Sequence, residues 1–163
     1  MPQFRWRRSG QDAALPADQP ITLDRIGVVH NDVRDPRRHD WSRVRSRLVL
    51  RPALTPALAG LDGFSHVIVV TWLDRVSDDE RRLLQVHPAG DASLPVCGVL
   101  ALRTHHRPNP IGVSIVAIER IDAATVHVRG LDVIDGTPVL DLKPYIPHYD
   151  SVPDARLPGW ASS

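Results

Sequence analysis

The sequence lacks what several kinds of protein require. It has a single cysteine, Cys97, which excludes an intrachain disulfide and a multi-cysteine metal centre. Aromatic residues make up only 5% of the chain, so a core must be built from Val, Leu, Ile and Ala. No run approaches the roughly 18 apolar residues that span a membrane as a helix. The opening MPQFRWRRSGQDAALPADQP carries arginine but no apolar segment, so it does not read as a secretory signal, and a cytoplasmic location away from membranes is expected. There is no GxGxxG turn after a strand, no P-loop and no HExxH helix, which leaves a Rossmann-type cofactor site without support.

The 163 residues present suit one domain. The net charge is +1, yet the choice of charged residues is skewed. Lys143 stands alone beside 19 Arg, and Glu80 and Glu119 stand beside 17 Asp. In such a chain a surviving lysine marks a position where a compact ammonium is wanted, unless chance kept it. The 15 prolines argue for turns and edge strands over long helices. Residues 1–20 show no periodicity and read as an arm. There Arg5, Trp6, Arg7 and Arg8 either grip RNA by charge and stacking or form a solvated tail.

From residue 21 the pattern is of short strands. Ile21–Asn31 is apolar and β-branched. Arg43–Leu50 alternates, with Val44, Ser46 and Leu48 on one face and Arg43, Arg45 and Arg47 on the other. Pro52–Gly60 reads as a short helical turn stopped by glycine. His66–Leu73 is nearly continuous apolar sequence, which predicts a strand covered on both faces. Ser77–His87 predicts a helix opened by a Ser77/Glu80 capping box. Further strands are expected over 95–103, Val113–Ile121, Thr125–Ile134 and Thr137–Ile146, the last two joined as a hairpin by Asp135-Gly136. These elements predict a mostly-β fold, a small β-barrel with one or two short helices.

Two segments concentrate unusual chemistry. In RTHHRPNPIGVS, Pro108 and Pro110 stiffen the loop before any ligand arrives. Arg103 and Arg107 bring planar donor forks, Asn109 an amide, and Gly112 a close backbone approach. His105-His106 is discounted as a metal site, because neighbours on a strand point to opposite faces; no metal is expected. The second segment, LDVIDGTPVLDLKPY, gathers Asp132, Asp135, Asp141, Lys143 and Tyr145. On a regular strand Asp141, Lys143 and Tyr145 share one face, which favours a site over a core.

RPNPIGVS followed by GLDVIDGTPVLDLKPY resembles the TsaA-like family, also called VirR-like or YaeB-like. IGVVHN, GLDGFSHVIVV and Pro158-Gly159-Trp160 extend the resemblance over residues 21–160. The sequence departs from the family pattern at CGVLALRTHH and at Arg37-Arg38. The resemblance implies a β-barrel methyltransferase that uses S-adenosyl-L-methionine, binds it near a homodimer interface, and acts on a tRNA anticodon stem-loop. The substrate it implies is the N6-threonylcarbamoyladenosine beside the anticodon, methylated at N6. A sensor that binds the cofactor without catalysis, or a methyltransferase for another substrate, are the alternatives.

Carried over by motif, the implied cofactor contacts are Arg103, Val113, Val133, Ile134, Asp135, Gly136, Leu73, Asp74, Pro36 and Arg37. Arg107 and Asn109 are assigned to substrate. Asp135, Asp141, Lys143 and Tyr145 are the catalytic candidates, with Asp135, Asp141 or Tyr145 as the proton acceptor.

Overall fold

Valine and leucine at alternate positions of short strands give each strand one face to bury, and the strands bury it by closing on themselves. The computed structural model describes residues 20–36 and 40–161. The strands are β1 (Gly27–His30), β2 (Arg45–Leu50), β3 (His66–Trp72), β4 (Gln85–Val86), β5 (Cys97–Gly98), β6 (Ile111–Asp122), β7 (Thr125–Arg129) and β8 (Pro138–Pro144). Six of them form a closed barrel in the order β1-β2-β7-β6-β3-β8, with β8 returning to β1 and every neighbour antiparallel. β4 and β5 form a separate two-stranded ribbon. The helices are short: α1 (Asp78–Arg82) and α2 (Pro147–Asp150). The expected small β-barrel is therefore the fold. Among the described residues, no helix is long and apolar enough to cross a membrane.

The core fills the barrel with Val29, Leu48, Val67, Val69, Val116, Val126, Val128 and Val139, each at most 1% exposed. Burying each such side chain contributes roughly 1.5–3 kcal/mol. The alternation expected in the second strand holds on β2, where Ser46, Leu48 and Leu50 are buried and Arg45 and Arg47 face out. Arg43 belongs instead to a 3₁₀ turn, Trp41–Arg43.

Several expectations need correction, among them the strand over Thr125–Ile134, which ends at Arg129. Of Ile21–Asn31 only Gly27–His30 is strand, preceded by Ile26, whose N–H still donates to the Val139 carbonyl at 2.8 Å. α1 stops at Arg82, because Gln85 and Val86 pair with Cys97 and Gly98. The strand expected over 95–103 is likewise only Cys97–Gly98, followed by a 3₁₀ turn. The Asp135-Gly136 hairpin does not form, since β7 pairs with β2 and β6 while β8 pairs with β3 and β1. The turn instead carries the chain across the barrel end, with Gly136 at φ +87° where a side chain would be strained.

β3 is not covered on both faces within the protomer. Val67, Val69 and Thr71 point inward and are buried, but Ile68, Val70 and Trp72 point outward and are half-buried. They stand opposite Ile115, Val113 and Ile111 of β6. These three are 54%, 45% and 36% exposed, so the two strands present an apolar ribbon to the outside. The arm at residues 1–20 lies outside the described residues up to position 19.

Candidate functional site

A cleft of about 1090 Å³ opens at one end of the barrel. Its walls come from the end of β3 (Leu73, Asp74), the start of β6 (Ile111 to Ser114), the link from β7 to β8 (Asp132 to Ile134) and the loop before β6. The two prolines keep that loop extended, and Pro110 is fully buried. The Leu73 N–H donates to the Pro110 carbonyl at 2.8 Å, tying the loop to the end of β3. α1 braces it from outside. The Arg81 Nε donates to the Pro108 carbonyl at 3.1 Å, and its guanidinium lies 5.7 Å above the Trp72 ring. Ser77 caps α1: its Oγ accepts from the Glu80 N–H at 3.3 Å, while Glu80 Oε2 accepts from the Ser77 N–H at 2.8 Å.

Nine residues singled out from the sequence meet in this cleft: Pro36, Leu73, Asp74, Arg103, Arg107, Asn109, Val113, Val133 and Ile134. The Arg103 guanidinium donates to the Val113 carbonyl, which joins the loop to β6. Arg107 turns back on its own loop, donating to the Leu102 carbonyl at 2.7 Å. It is thus first a brace for the cleft wall.

Other candidates lie elsewhere. Asp135 and Gly136 are not in the cleft wall. The Asp135 carboxylate accepts from the Asn31 N–H at 3.1 Å, lies 3.3 Å from the His30 Nδ1 and pairs with Arg34. It faces a second depression behind the Ile134 wall and is occupied in fastening the turn. Asp141, Lys143 and Tyr145 lie at the far end of β8. Lys143 stands opposite Ile68, and the Tyr145 N–H bonds to His66, whereas the cleft touches the strand at Thr137. None of the three lines the cleft, but Asp141 stands opposite Val70, which stands opposite the cleft residue Val113, so it lies two strands, about 10 Å, from that wall. The Lys143 Nζ lies 2.7 Å from Asp141 Oδ2, and that hydrogen bond raises the lysine pKa above its ordinary value. The Tyr145 ring meets His66 edge-on at 6.4 Å. Arg37 lies outside the described residues.

Sequence reasoning missed Asp132 and Ser114 as a pair. Both line the cleft, and the Ser114 hydroxyl donates to the Asp132 carboxylate. The signal was present, since each sits inside a motif already marked. Trp41 and Arg75 also line the cleft with no local sequence signal to mark them, as does Ile111, which lies within the marked RPNPIGVS motif. The strand argument against His105-His106 fails, because these residues are in a loop and their rings stack at 3.9 Å. With Glu80 they bring potential ligand atoms within 4.8 Å of one another, a grouping on the cleft rim. Burial, and then the His106 charge, push the His105 pKa down.

The cleft combines arginines (Arg75, Arg103, Arg107), carboxylates (Asp74, Asp132) and apolar walls (Leu102, Val113, Val133, Ile134). Such a lining suits a ligand with an apolar ring at one end and both charges at the other.

The family tRNA-methyltransferase O N-terminal domain matches residues 30–151. A probable S-adenosyl-L-methionine-binding protein of Archaeoglobus fulgidus is 33% identical over 144 residues, covering 86% of this chain and 38% of the relative. A Homo sapiens protein named tRNA (adenine(37)-N6)-methyltransferase is 36% identical over 119 residues, covering 71% of this chain and 25% of the relative. A solved crystal structure of TrmO superposes with a TM-score of 0.69 at 34% identity, covering 85% of this chain and 64% of that one. The chain thus spans less than half of the length of either relative. With its matched segment covering most of the barrel, the chain belongs to the tRNA-methyltransferase O family.

Proposed function

We propose that this chain binds S-adenosyl-L-methionine in the barrel-end cleft and methylates N6 of N6-threonylcarbamoyladenosine beside the anticodon of tRNA, in the cytoplasm. One observation carries the reading: segments far apart in sequence bring Leu73, Asp74, Arg103, Val113, Val133 and Ile134 into a single cleft. The donor set fits the cofactor. Asp74 and Asp132 suit its amino and sulfonium charges, an arginine suits its carboxylate, and Val113, Val133 and Ile134 suit its adenine. When bound, the cofactor supplies an electrophilic methyl group. The residues of the chain then have two tasks, to align the attacking N6 and to take its proton.

Asp141, Lys143 and Tyr145 do not line the cleft of their own protomer, and in the proposed enzyme they serve the cleft of a second copy. The outward ribbon of Ile68, Val70 and Trp72 against Ile115, Val113 and Ile111 runs from the cleft towards Lys143. A second copy stacked on this ribbon about a two-fold axis brings the Lys143 end of one protomer to the cleft of the other. It also covers apolar side chains that face water in the protomer. In that arrangement Asp141 of the partner subunit, held by the partner subunit's Lys143, accepts the N6 proton. The new N–C bond forms as the S–C bond breaks. A lone protomer would then hold cofactor without turning it over.

Titration calorimetry and transfer of labelled methyl from S-adenosyl-L-methionine to bulk tRNA test the reading. Cofactor binding lost on Arg103→Ala and label appearing in tRNA support it. Absence of label with native protein, at saturating cofactor and with tRNA carrying the threonylcarbamoyl group, rejects it.

A further inference from the structure

The cleft does not account for the opposite wall of the barrel. On the outer face of β1, β2, β7 and β6, four nitrogen bases stand side by side. His30 is opposite Arg47, Arg47 is opposite His127, and His127 is opposite Arg120. Their neighbours Val29, Leu48, Val126 and Val128 are fully buried, so the four point outward. Strands are about 4.8 Å apart, and the row is therefore about 14 Å long.

Arg47 and Arg120 are the permanent charges of the row, one strand apart on either side of His127. The local acids are engaged at its margins. Glu119 lies 3.1 Å from Arg45 and 3.7 Å from Arg129, Asp122 lies 3.7 Å from Arg120, and Asp135 holds His30 and Arg34. Among the described residues Arg47, in the middle, makes no ion pair or side-chain hydrogen bond. Burial and the Arg120 charge also push the His127 pKa down. His30, Arg47 and His127 of the row line a depression of about 410 Å³ that also holds Asp135, next in sequence to Ile134 of the cleft wall.

We propose that the row of His30, Arg47, His127 and Arg120 is the docking surface for the phosphate backbone of the RNA substrate. A chain of phosphates satisfies Arg47, which the protein leaves without a carboxylate, reaches the bases on either side of it, and releases counterions as it does so. Continuity with the Ile134 wall leads the same strand to the cleft. The identity of the polyanion as the substrate RNA rests on the function proposed above; the row itself does not.

The test is fluorescence anisotropy of a labelled RNA anticodon stem-loop with the full chain over a range of salt concentrations. Arg47→Ala with Arg120→Ala should weaken binding about 10-fold and flatten the log–log salt slope by about 2. Arg47→Lys with Arg120→Lys should retain binding within about 2-fold, which separates charge from folding. Arg156→Ala, the loss of one charge in the C-terminal segment, should change affinity less than about 2-fold. Calorimetry should show cofactor binding unchanged in all variants. Native RNA affinity and slope in the double alanine variant would overturn the docking surface and leave the proposed function standing. Loss of RNA binding in that variant, in a protein whose native form neither binds cofactor nor methylates tRNA, would uphold the row and reject the function instead. Binding of anionic lipid vesicles with no binding of RNA would also overturn the proposal.

Discussion

Lys143 and Asp141 form a 2.7 Å ion pair on the outside of β8, where Asp141 stands two strands, about 10 Å, from Val113 in the cleft wall. As a surface pair it would be worth about 0–1 kcal/mol, and Lys143→Arg would keep it. As a positioned pair at the active centre it would not tolerate the wider guanidinium. We expect Lys143→Arg to keep its circular dichroism and its cofactor affinity but to lose at least about 10-fold in turnover, or about 1.4 kcal/mol of barrier. Native methyl transfer by this variant would return the pair to the surface.

Separation of the two halves of the site predicts complementation between subunits. Arg103→Ala removes the cleft half and Lys143→Ala the β8 half, so each variant alone should be inactive. Mixed one to one after reversible dissociation, about a quarter of the sites would be wholly native. Recovery of about a quarter of native turnover is expected. No recovery, with mixed dimers shown by mass spectrometry, would mean that each site is built within one protomer.

The apolar ribbon predicts the assembly itself. Ile115 is 54% exposed, so a charge there costs the protomer little. Ile115→Asp should convert a dimer to an 18.1 kDa species in sedimentation equilibrium and abolish turnover. A native protein already sedimenting as a monomer at micromolar concentration would contradict the ribbon's role.

Gly112 sits where β6 presses on β3. A Cβ placed on it would lie 2.5 Å from Thr71 Oγ1. Gly112→Ala should therefore destabilise the barrel by about 1–3 kcal/mol in denaturant titration. Thr71 is buried and its hydroxyl has no hydrogen-bond partner among the described residues. Adding Thr71→Ala removes the clashing atom and should recover part of the loss. Additive destabilisation would show that the clash is not the cause.

The brace on the cleft loop should respond to acid. Hydrogen bonds, first from the Ser77 N–H and then from its hydroxyl, hold the Glu80 carboxyl below its ordinary value of 4.5. A carboxylate lowered on folding adds stability above the unfolded value and loses it as pH falls through the folded one. Hydrogen exchange in α1 should accelerate in that acid window, relative to the barrel strands. Glu80→Gln should exchange at a rate independent of pH there, after correction for intrinsic rates.

Much of the barrel was legible in the chain. The alternation of Ser46, Leu48 and Leu50 with arginines, and the Val67–Val69–Thr71 face of β3, need only the two-residue period of a strand to be read. The Ser77/Glu80 box was legible because capping is a contact three residues long. The hairpin at Asp135-Gly136 was misread because a turn signal states that the chain bends, and not which strand it pairs with next. Likewise the apolar His66–Leu73 run reads as a strand covered on both faces, whereas Ile68, Val70 and Trp72 on its outer face are only half-buried in the protomer.

For the site, the sequence by itself determined the chemistry: the stiff Arg103–Ser114 loop, the Asp-rich link after β7 and the single lysine. Those are properties of residues and of their near neighbours. Only the tertiary structure decided which of them meet. Closure of the barrel in the order β1-β2-β7-β6-β3-β8 brings Leu73, Val113 and Ile134 together from three strand ends. The same closure sends Lys143 to the far end of β8 and aligns His30, Arg47, His127 and Arg120 across four strands. A cross-strand row depends on register, and register is set by which inward side chains pack, a long-range outcome that no local pattern encodes.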